Sequence, residues 1–319
     1  MLGSPIAHSL SPVLHRAAYQ ALGLDDWSYT AIETDEAGLA GVLDQVRSQP
    51  GWAGLSLTMP LKTAAVPLVD RLDASVEAVG ALNTIVVEPD GSLAGYNTDI
   101  AGIRYAVRQV LGAARPGGHE ALPAAAAPAP PARGRGSQSP VPQSPVPPLA
   151  APPVRPLLLG AGGTARAAVA ALAAVGVRRV GVVARRAAAV VPLTEIGAGL
   201  GIEVVALPWE TIAGGLPRGV DLVVATTPAG VTDQLAEWAW PAGCPLVELL
   251  YHPWPTALAV TAYRAGARVG GGMAVLAAQA AEQVTLFTGR PVRVEVLLTA
   301  GTQALTRRAA VDAFSPVKS

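Results

Sequence analysis

The chain has 319 residues, enough for two domains of ordinary size, and 23 basic residues balance 23 acidic ones. A zero net charge gives no electrostatic footprint for a nucleic acid or an anionic membrane, so neither is expected as a partner. The single cysteine, Cys244, excludes an internal disulfide and reads as core rather than nucleophile. No apolar run reaches the roughly 18 to 20 residues that span a bilayer, and the first residues lack the charged and apolar regions of a signal peptide. The expected setting is the cytoplasm.

In chain order, apolar alternation over Ser28 to Glu33, a helical period over Asp35 to Arg47 and short strands near Trp52 to Leu57 and Thr84 to Val87 predict a small α/β domain with a mixed or parallel sheet. From Ala113 to Pro156 the composition changes. The segment holds 13 of the chain's 29 prolines, has no Phe, Trp or Tyr, and repeats itself imperfectly as SQSPVPQSPVPP. Such a stretch buries too little apolar surface to offset its ordering entropy and reads as a disordered, partly polyproline-like insertion. Beyond it, apolar runs at Leu157 to Leu159, Arg179 to Ala184, Val204 to Leu207, Val220 to Ala225 and Leu246 to Leu250 alternate with helical or turn segments. That rhythm is βαβ and predicts a doubly wound sheet. Met273 to Thr288 and Val292 to Leu305 are helical by period. The expected organisation is residues 1–112 as a first domain completed by C-terminal helices in 274–319, an insertion over 113–156, and a Rossmann-type domain over 157–273.

The strand at Leu157 runs into Gly160-x-Gly162-Gly163-Thr164 and then an Ala-rich helix. Glycines there let a pyrophosphate approach the first helical amides, although a tight turn in a non-binding domain has the same outline. About 20 residues on, where an NAD-binding domain places a carboxylate on the ribose, the chain has Arg185 and Arg186. Two guanidiniums in place of a carboxylate predict NADP, unless both are merely solvated. Thr226 ends a later strand at the C-terminal edge of the sheet, as a cofactor-lining turn or a plain loop.

In the first domain Ser9 and Ser11 stand two apart, so in an extended segment both hydroxyls face one side. Paired hydroxyls suit a polyol or a carboxylate, but Ser11 before Pro12 is equally a helix N-cap. Thr58-Met59-Pro60-Leu61-Lys62 follows an apolar strand, with Pro60 placed to open the next helix. Asn83-Thr84 and Gly95-Tyr96-Asn97-Thr98-Asp99 add an amide and a carboxylate at strand ends. Singly, each reads as surface or turn chemistry.

Together the ordered segments SPIAHSLSP, LTMPLK, ALNT, GYNTD, GAGGTARA, ATTP, LLYHPWPT and GGMAVLAAQAAEQ resemble the shikimate dehydrogenase family across about 270 residues, all but the insertion and extreme termini. The resemblance implies an NADP-dependent oxidoreductase that reduces 3-dehydroshikimate to shikimate, on the route to chorismate and the aromatic amino acids. It implies Lys62 and Asp99 as the catalytic pair, Ser9 and Ser11 on the substrate carboxylate, and Thr58, Asn83 and Gln279 on ring hydroxyls. Tyr251 would line the cleft. Gly160, Gly162 and Gly163 would meet the pyrophosphate, and Arg185, Arg186 and Thr164 the adenosine phosphate. No metal is implied, and the protein is expected as a monomer or homodimer.

The chain departs from the family pattern in three places. Ser56 stands where the family has asparagine, which shortens the reach to substrate, and Ala225 replaces the asparagine of an Asn-Thr-Thr-Pro turn. The family's first strand ends at residues here written Leu2-Gly3, so the start at Met1 reads as a misassigned start or a trimmed strand. Two other readings remain: a quinate/shikimate dehydrogenase using NAD, and a catalytically idle binding module.

Overall fold

The computed structural model describes residues 1–112, 152, 154–212, 214–237 and 239–314 of the chain. The first half opens with β1 (Leu2–Gly3), α1 (Ser11–Leu22) and β2 (Ile32–Glu33), the two strands pairing in parallel. Next comes α2 (Glu36–Ser48), whose first turn is capped by the Asp35 carboxylate accepting the Gly38 N–H at 2.9 Å. Leu39, Leu43 and Val46, three and four residues apart, give α2 its buried stripe. There follow β3 (Gly54–Ser56), α3 (Leu61–Ala64), β4 (Arg71–Leu72), α4 (Ala74–Val79), β5 (Thr84–Val87), β6 (Leu93–Tyr96) and α5 (Asp99–Gly112).

The strand order is β3-β5-β6-β4, with β5 antiparallel to both neighbours and β4 parallel to β6, so the sheet is mixed. A parallel bridge from Leu2 to Leu57 joins β1 to the end of β3. The strand expected over Ser28 to Glu33 is shorter than its alternation suggested, because only Ile32 and Glu33 find a partner strand. Leu2, Leu39, Leu43, Leu55, Leu61, Ile85 and Leu93 form one core between sheet and helices.

The second half comprises β7 (Pro156–Leu159), α6 (Gly163–Ala174), β8 (Arg179–Ala184), α7 (Val191–Leu200), β9 (Glu203–Pro208), β10 (Leu222–Ala225), β11 (Leu246–Glu248), α8 (Ala257–Arg264) and β12 (Val269–Gly270). All six strands are parallel in the order β12-β11-β10-β7-β8-β9, the doubly wound arrangement, with apolar cores on both faces. Residues 113–151 of the expected insertion lie outside the described residues. Its far boundary is corrected: β7 begins at Pro156, and the Val154 and Arg155 amides donate to the Asp221 carboxylate at 2.6 and 3.0 Å. Pro156 is tolerated there because it is the first residue of its strand.

Two long helices follow, α9 (Gly272–Thr288) and α10 (Val294–Phe314). Rather than staying with the parallel sheet, α9 packs on α5 and α1, and α10 packs on α1 and α9. Leu10, Leu14, Tyr19 and Tyr29 meet Ala277, Ala280, Ala281, Val284 and Leu297 in a shared core. The α5–α9 approach is close enough to require glycine: a Cβ on Gly102 would lie 2.5 Å from the Val275 carbonyl and 3.1 Å from Gln279 Cβ. That contact sets Gln279 against the head of α5, where Asp99 stands. Between the halves, Arg166 of α6 donates to the Val79 carbonyl at the end of α4, at 3.1 Å.

Candidate active site

Helix α3 starts immediately after Pro60 and buries Leu61 completely, which leaves Lys62 to emerge beside the sheet edge. Its ammonium donates to Asp99 Oδ2 at 2.5 Å, with both side chains mostly buried. Asp99 is the first residue of α5, where a carboxylate complements the free amides of a helix N-terminus. Its other oxygen accepts from Asn83 Nδ2 at 2.8 Å. The same amide nitrogen lies 2.8 Å from Gln279 Oε1 and 3.0 Å from Thr98 Oγ1. Lys62, Asn83, Asp99 and Gln279 are therefore one hydrogen-bonded cluster, built from α3, the start of β5, the head of α5 and α9. A mostly buried ammonium held by a carboxylate that is itself held by the Asn83 amide can give a proton to a carbonyl oxygen and hold a neighbouring hydroxyl.

Ser9 and Ser11 sit differently from their expected extended pairing. Ser11 is the first residue of α1, with Leu10 at the cap position, so Ser11 is not an N-cap. The free amide of Ser11 is satisfied instead by Ser9, whose hydroxyl accepts it at 3.2 Å. The Ser11 side chain is buried and lies with Ser56 near the Tyr29 hydroxyl, both opposing the upward shift that burial imposes on that phenol. Thr58 follows β3 and ties its own N–H to the Leu2 carbonyl at 2.9 Å, leaving its half-buried side chain beside α3. Tyr251 lies in the loop after β11, packed among residues of α1, α9 and α10. Burial pushes its phenol above the ordinary range, and the Arg308 charge opposes this. Arg308 donates to the His8 carbonyl at 2.8 Å, so α10 closes over the segment carrying Ser9. Among the described residues no hydrogen bond joins Tyr251, Ser9 or Thr58 to the Lys62 cluster.

Gly160 ends β7 at φ +103°, and a Cβ there would lie 2.8 Å from Thr226 Oγ1. Only glycine fits both the backbone conformation and the space. Gly162 caps α6 and Gly163 opens it, yet a Cβ on either would meet nothing within 4 Å. The fold does not require glycine at those two positions; the open space over the first amides of a 12-residue helix fits a diphosphate. Thr164 is the next residue of that first turn. Arg185 and Arg186 follow β8, which neighbours β7, and both are exposed with no ion pair among the described residues. Two unpaired guanidiniums fit an added phosphate and offer nothing that repels one. The Thr226 hydroxyl is committed to the Leu159 carbonyl at 2.9 Å, so it locks β10 to β7 beneath Gly160. Its neighbour Thr227 has the buried hydroxyl with no partner among the described residues.

Two groups escaped the sequence reading. Gln283, 1% exposed, joins Ser56 to Thr84. The signal was its spacing of four from Gln279 on an otherwise apolar helix face. Glu248 was hidden inside an apolar run. It is 1% exposed, accepts the Thr256 hydroxyl, leaves Oε1 unpartnered, and has its pKa raised chiefly by burial. Ser56, shorter than its family counterpart, donates to Gln283 Oε1 at 3.1 Å.

A family model, the shikimate dehydrogenase substrate binding domain, matches residues 1–85. The NADP(+) shikimate dehydrogenase of Geobacter metallireducens is 32% identical over 296 residues, covering 91% of this chain and 90% of the relative. The chain belongs to the shikimate dehydrogenase family. Among solved structures, Mycobacterium tuberculosis shikimate dehydrogenase is 36% identical with TM-score 0.73, covering 95% of this chain and 97% of the other. The Thermus thermophilus shikimate 5-dehydrogenase, in complex with NADP(H) and shikimate, is 30% identical with TM-score 0.70 over 95% and 97%. Both of the family's halves are thus represented here, the mixed-sheet half with the Lys62 cluster and the parallel sheet with the glycine loop. Among the described residues no helix is long and apolar enough to cross a membrane.

Proposed function

We propose that the chain catalyses the reversible NADPH-dependent reduction of 3-dehydroshikimate to shikimate. The observation that carries this reading is the Lys62–Asp99–Asn83–Gln279 cluster, a proton donor with its carboxylate and two amides buried together. The dinucleotide, when bound, supplies the hydride that reduces the ketone carbon. Lys62 gives its proton to the ketone oxygen as the C–O double bond becomes a single bond, then regains one from solvent. Asp99 holds the ammonium in line and accepts from an adjacent ring hydroxyl.

In this reading Ser9 and Ser11 take the substrate carboxylate, Thr58, Asn83 and Gln279 take ring hydroxyls, and Tyr251 bounds the cleft. Gly160, Gly162 and Gly163 receive the diphosphate at the head of α6. Arg185, Arg186 and Thr164 meet the 2′-phosphate that distinguishes NADP from NAD, and Thr226 supports the loop from below. Residues 1–112 with 274–319 form the substrate half and 157–273 the cofactor half. We read the enzyme as cytoplasmic, a monomer or homodimer.

The test is spectrophotometric: shikimate and quinate are each oxidised with NADP and with NAD. With shikimate, turnover with NADP at least ~10-fold more efficient than with NAD is expected from one charge-assisted phosphate contact. Preference for quinate with NAD would establish the catabolic alternative, and no turnover with any pairing would establish an idle module.

A further inference from the structure

Behind the Lys62 cluster lies a second layer of polar side chains that touches none of the reacting groups. Gln283 is 1% exposed, Ser56 2% and Thr84 fully buried. Gln283 Nε2 lies 2.9 Å from Thr84 Oγ1 and 3.3 Å from the Asn83 main-chain carbonyl. A carbonyl only accepts, so the nitrogen of that amide must face it, and Oε1 must face Ser56, whose hydroxyl donates to it at 3.1 Å. The orientation of Gln283 is therefore determined by its neighbours.

Its consequence passes along the chain of single hydrogens. With one lone pair occupied by Gln283, Thr84 directs its only hydrogen to Asn83 Oδ1 at 2.9 Å, where the Thr98 N–H and hydroxyl also arrive, at 2.8 and 3.1 Å. Asn83 is then fixed with its oxygen inward and its two N–H groups toward Asp99 and Gln279, both at 2.8 Å. Gln279 and Gln283 are one turn apart on α9, so a single helix face grips the Asn83 amide at its nitrogen directly and at its oxygen through Thr84.

We propose that Gln283 is a positioning residue for the reaction: through Thr84 and Asn83 it fixes the Asp99 carboxylate, and with it the aim of the Lys62 ammonium. Ser56 belongs to the same device, because its short side chain leaves the room that the Gln283 amide fills. The inference rests on Lys62 and Asp99 being the catalytic pair, which the wild-type assay tests separately.

Two sets of variants of the full chain decide it, assayed for shikimate oxidation with NADP across pH and checked for melting temperature. Gln283→Glu keeps the size, but an ionised carboxylate only accepts and draws the Thr84 hydrogen away from Asn83. The kcat profile should gain an ionisation absent from wild type, with turnover falling ~10-fold as the new group deprotonates and KM moving less than about threefold. Thr84→Val, which removes the hydroxyl at constant size, should lower kcat by ~10-fold, and Thr84→Ser should restore most of it. If Gln283→Glu does not fold, the Thr84 pair decides alone. A wild-type pH profile in Gln283→Glu, or unaltered kcat in Thr84→Val, would overturn the proposal. A lowered melting temperature with unchanged kcat would make Gln283 a packing residue. Absence of wild-type turnover would instead count against the functional reading itself.

Discussion

At the scale of single residues, the shortest polar contact in the site is also its chemistry: Lys62 Nζ against Asp99 Oδ2 at 2.5 Å. Lys62→Ala removes the proton donor and should lower kcat by ~10²-fold to 10⁴-fold with a smaller change in KM. Asp99→Asn keeps the shape but leaves the ammonium without its countercharge, and should cause comparable damage. Steady-state kinetics check both; turnover within a few-fold of wild type for the two variants would remove the pair from the mechanism. Arg185 poses a separate question, since its exposed guanidinium has no ion pair among the described residues and is free to take a phosphate. Arg185→Asp should cancel or reverse an NADP preference of ~10-fold, because a carboxylate repels the 2′-phosphate and accepts from a free ribose hydroxyl. The ratio of kcat/KM for the two cofactors, measured at low salt where screening is weak, reports it. An unchanged ratio would reduce Arg185 to a solvated surface residue.

At the scale of elements, α1 carries an imidazole in its core face. His15 is fully buried, stacks on Tyr29 with ring centroids 3.8 Å apart, and bonds through Nδ1 to the Ser11 carbonyl at 2.9 Å, while Nε2 has no partner among the described residues. With a carbonyl at Nδ1, that nitrogen carries the hydrogen of the neutral ring. Burial pushes the folded pKa down from 6.5 to about 3, partly offset by the Ser11 bond. Between those values the unfolded chain binds a proton that the folded chain refuses. The contribution of neutral His15 is therefore intact above pH 6.5 and is lost as pH falls toward 3, by up to about 1.4 kcal/mol per unit. Denaturant unfolding of wild type and His15→Gln at pH 7, 5.5 and 4 should show the steeper loss in wild type. Equal slopes would place the acid sensitivity elsewhere.

At the scale of the whole molecule, the two halves meet through helices rather than through a shared sheet. Helix α9 leaves the end of the parallel sheet and packs on α5 and α1, and Arg166 reaches from α6 to the end of α4. The proline-rich segment leaves from the end of α5 at Gly112, and on its far side the chain is held where Asp221 receives the Val154 and Arg155 amides. Replacing residues 113–151 with a short Gly/Ser linker keeps both anchors. Loop closure costs only about 0.6 kcal/mol per doubling of length, so kcat, KM and cofactor affinity should stay within about twofold of wild type. A folded variant with no activity would give the segment a functional role.

The sequence by itself determined the class of fold, because short continuous apolar runs separated by helical segments admit few arrangements other than a doubly wound sheet. It placed β5 and β8 at their observed bounds, and the glycine loop between strand and helix, because these signals are local. It also supplied the types of residue in the site. What it could not decide was company. Asn83 and Gln279 are 196 positions apart, and Ser56 and Gln283 are 227 apart, so no local pattern reports that they touch. The same limit explains Thr226, whose hydroxyl serves β7 rather than solvent. The tertiary structure decided these because each depends on α9 crossing α5 at the contact that Gly102 permits, or on β10 lying beside β7. Those are properties of packing between distant segments rather than of any one of them.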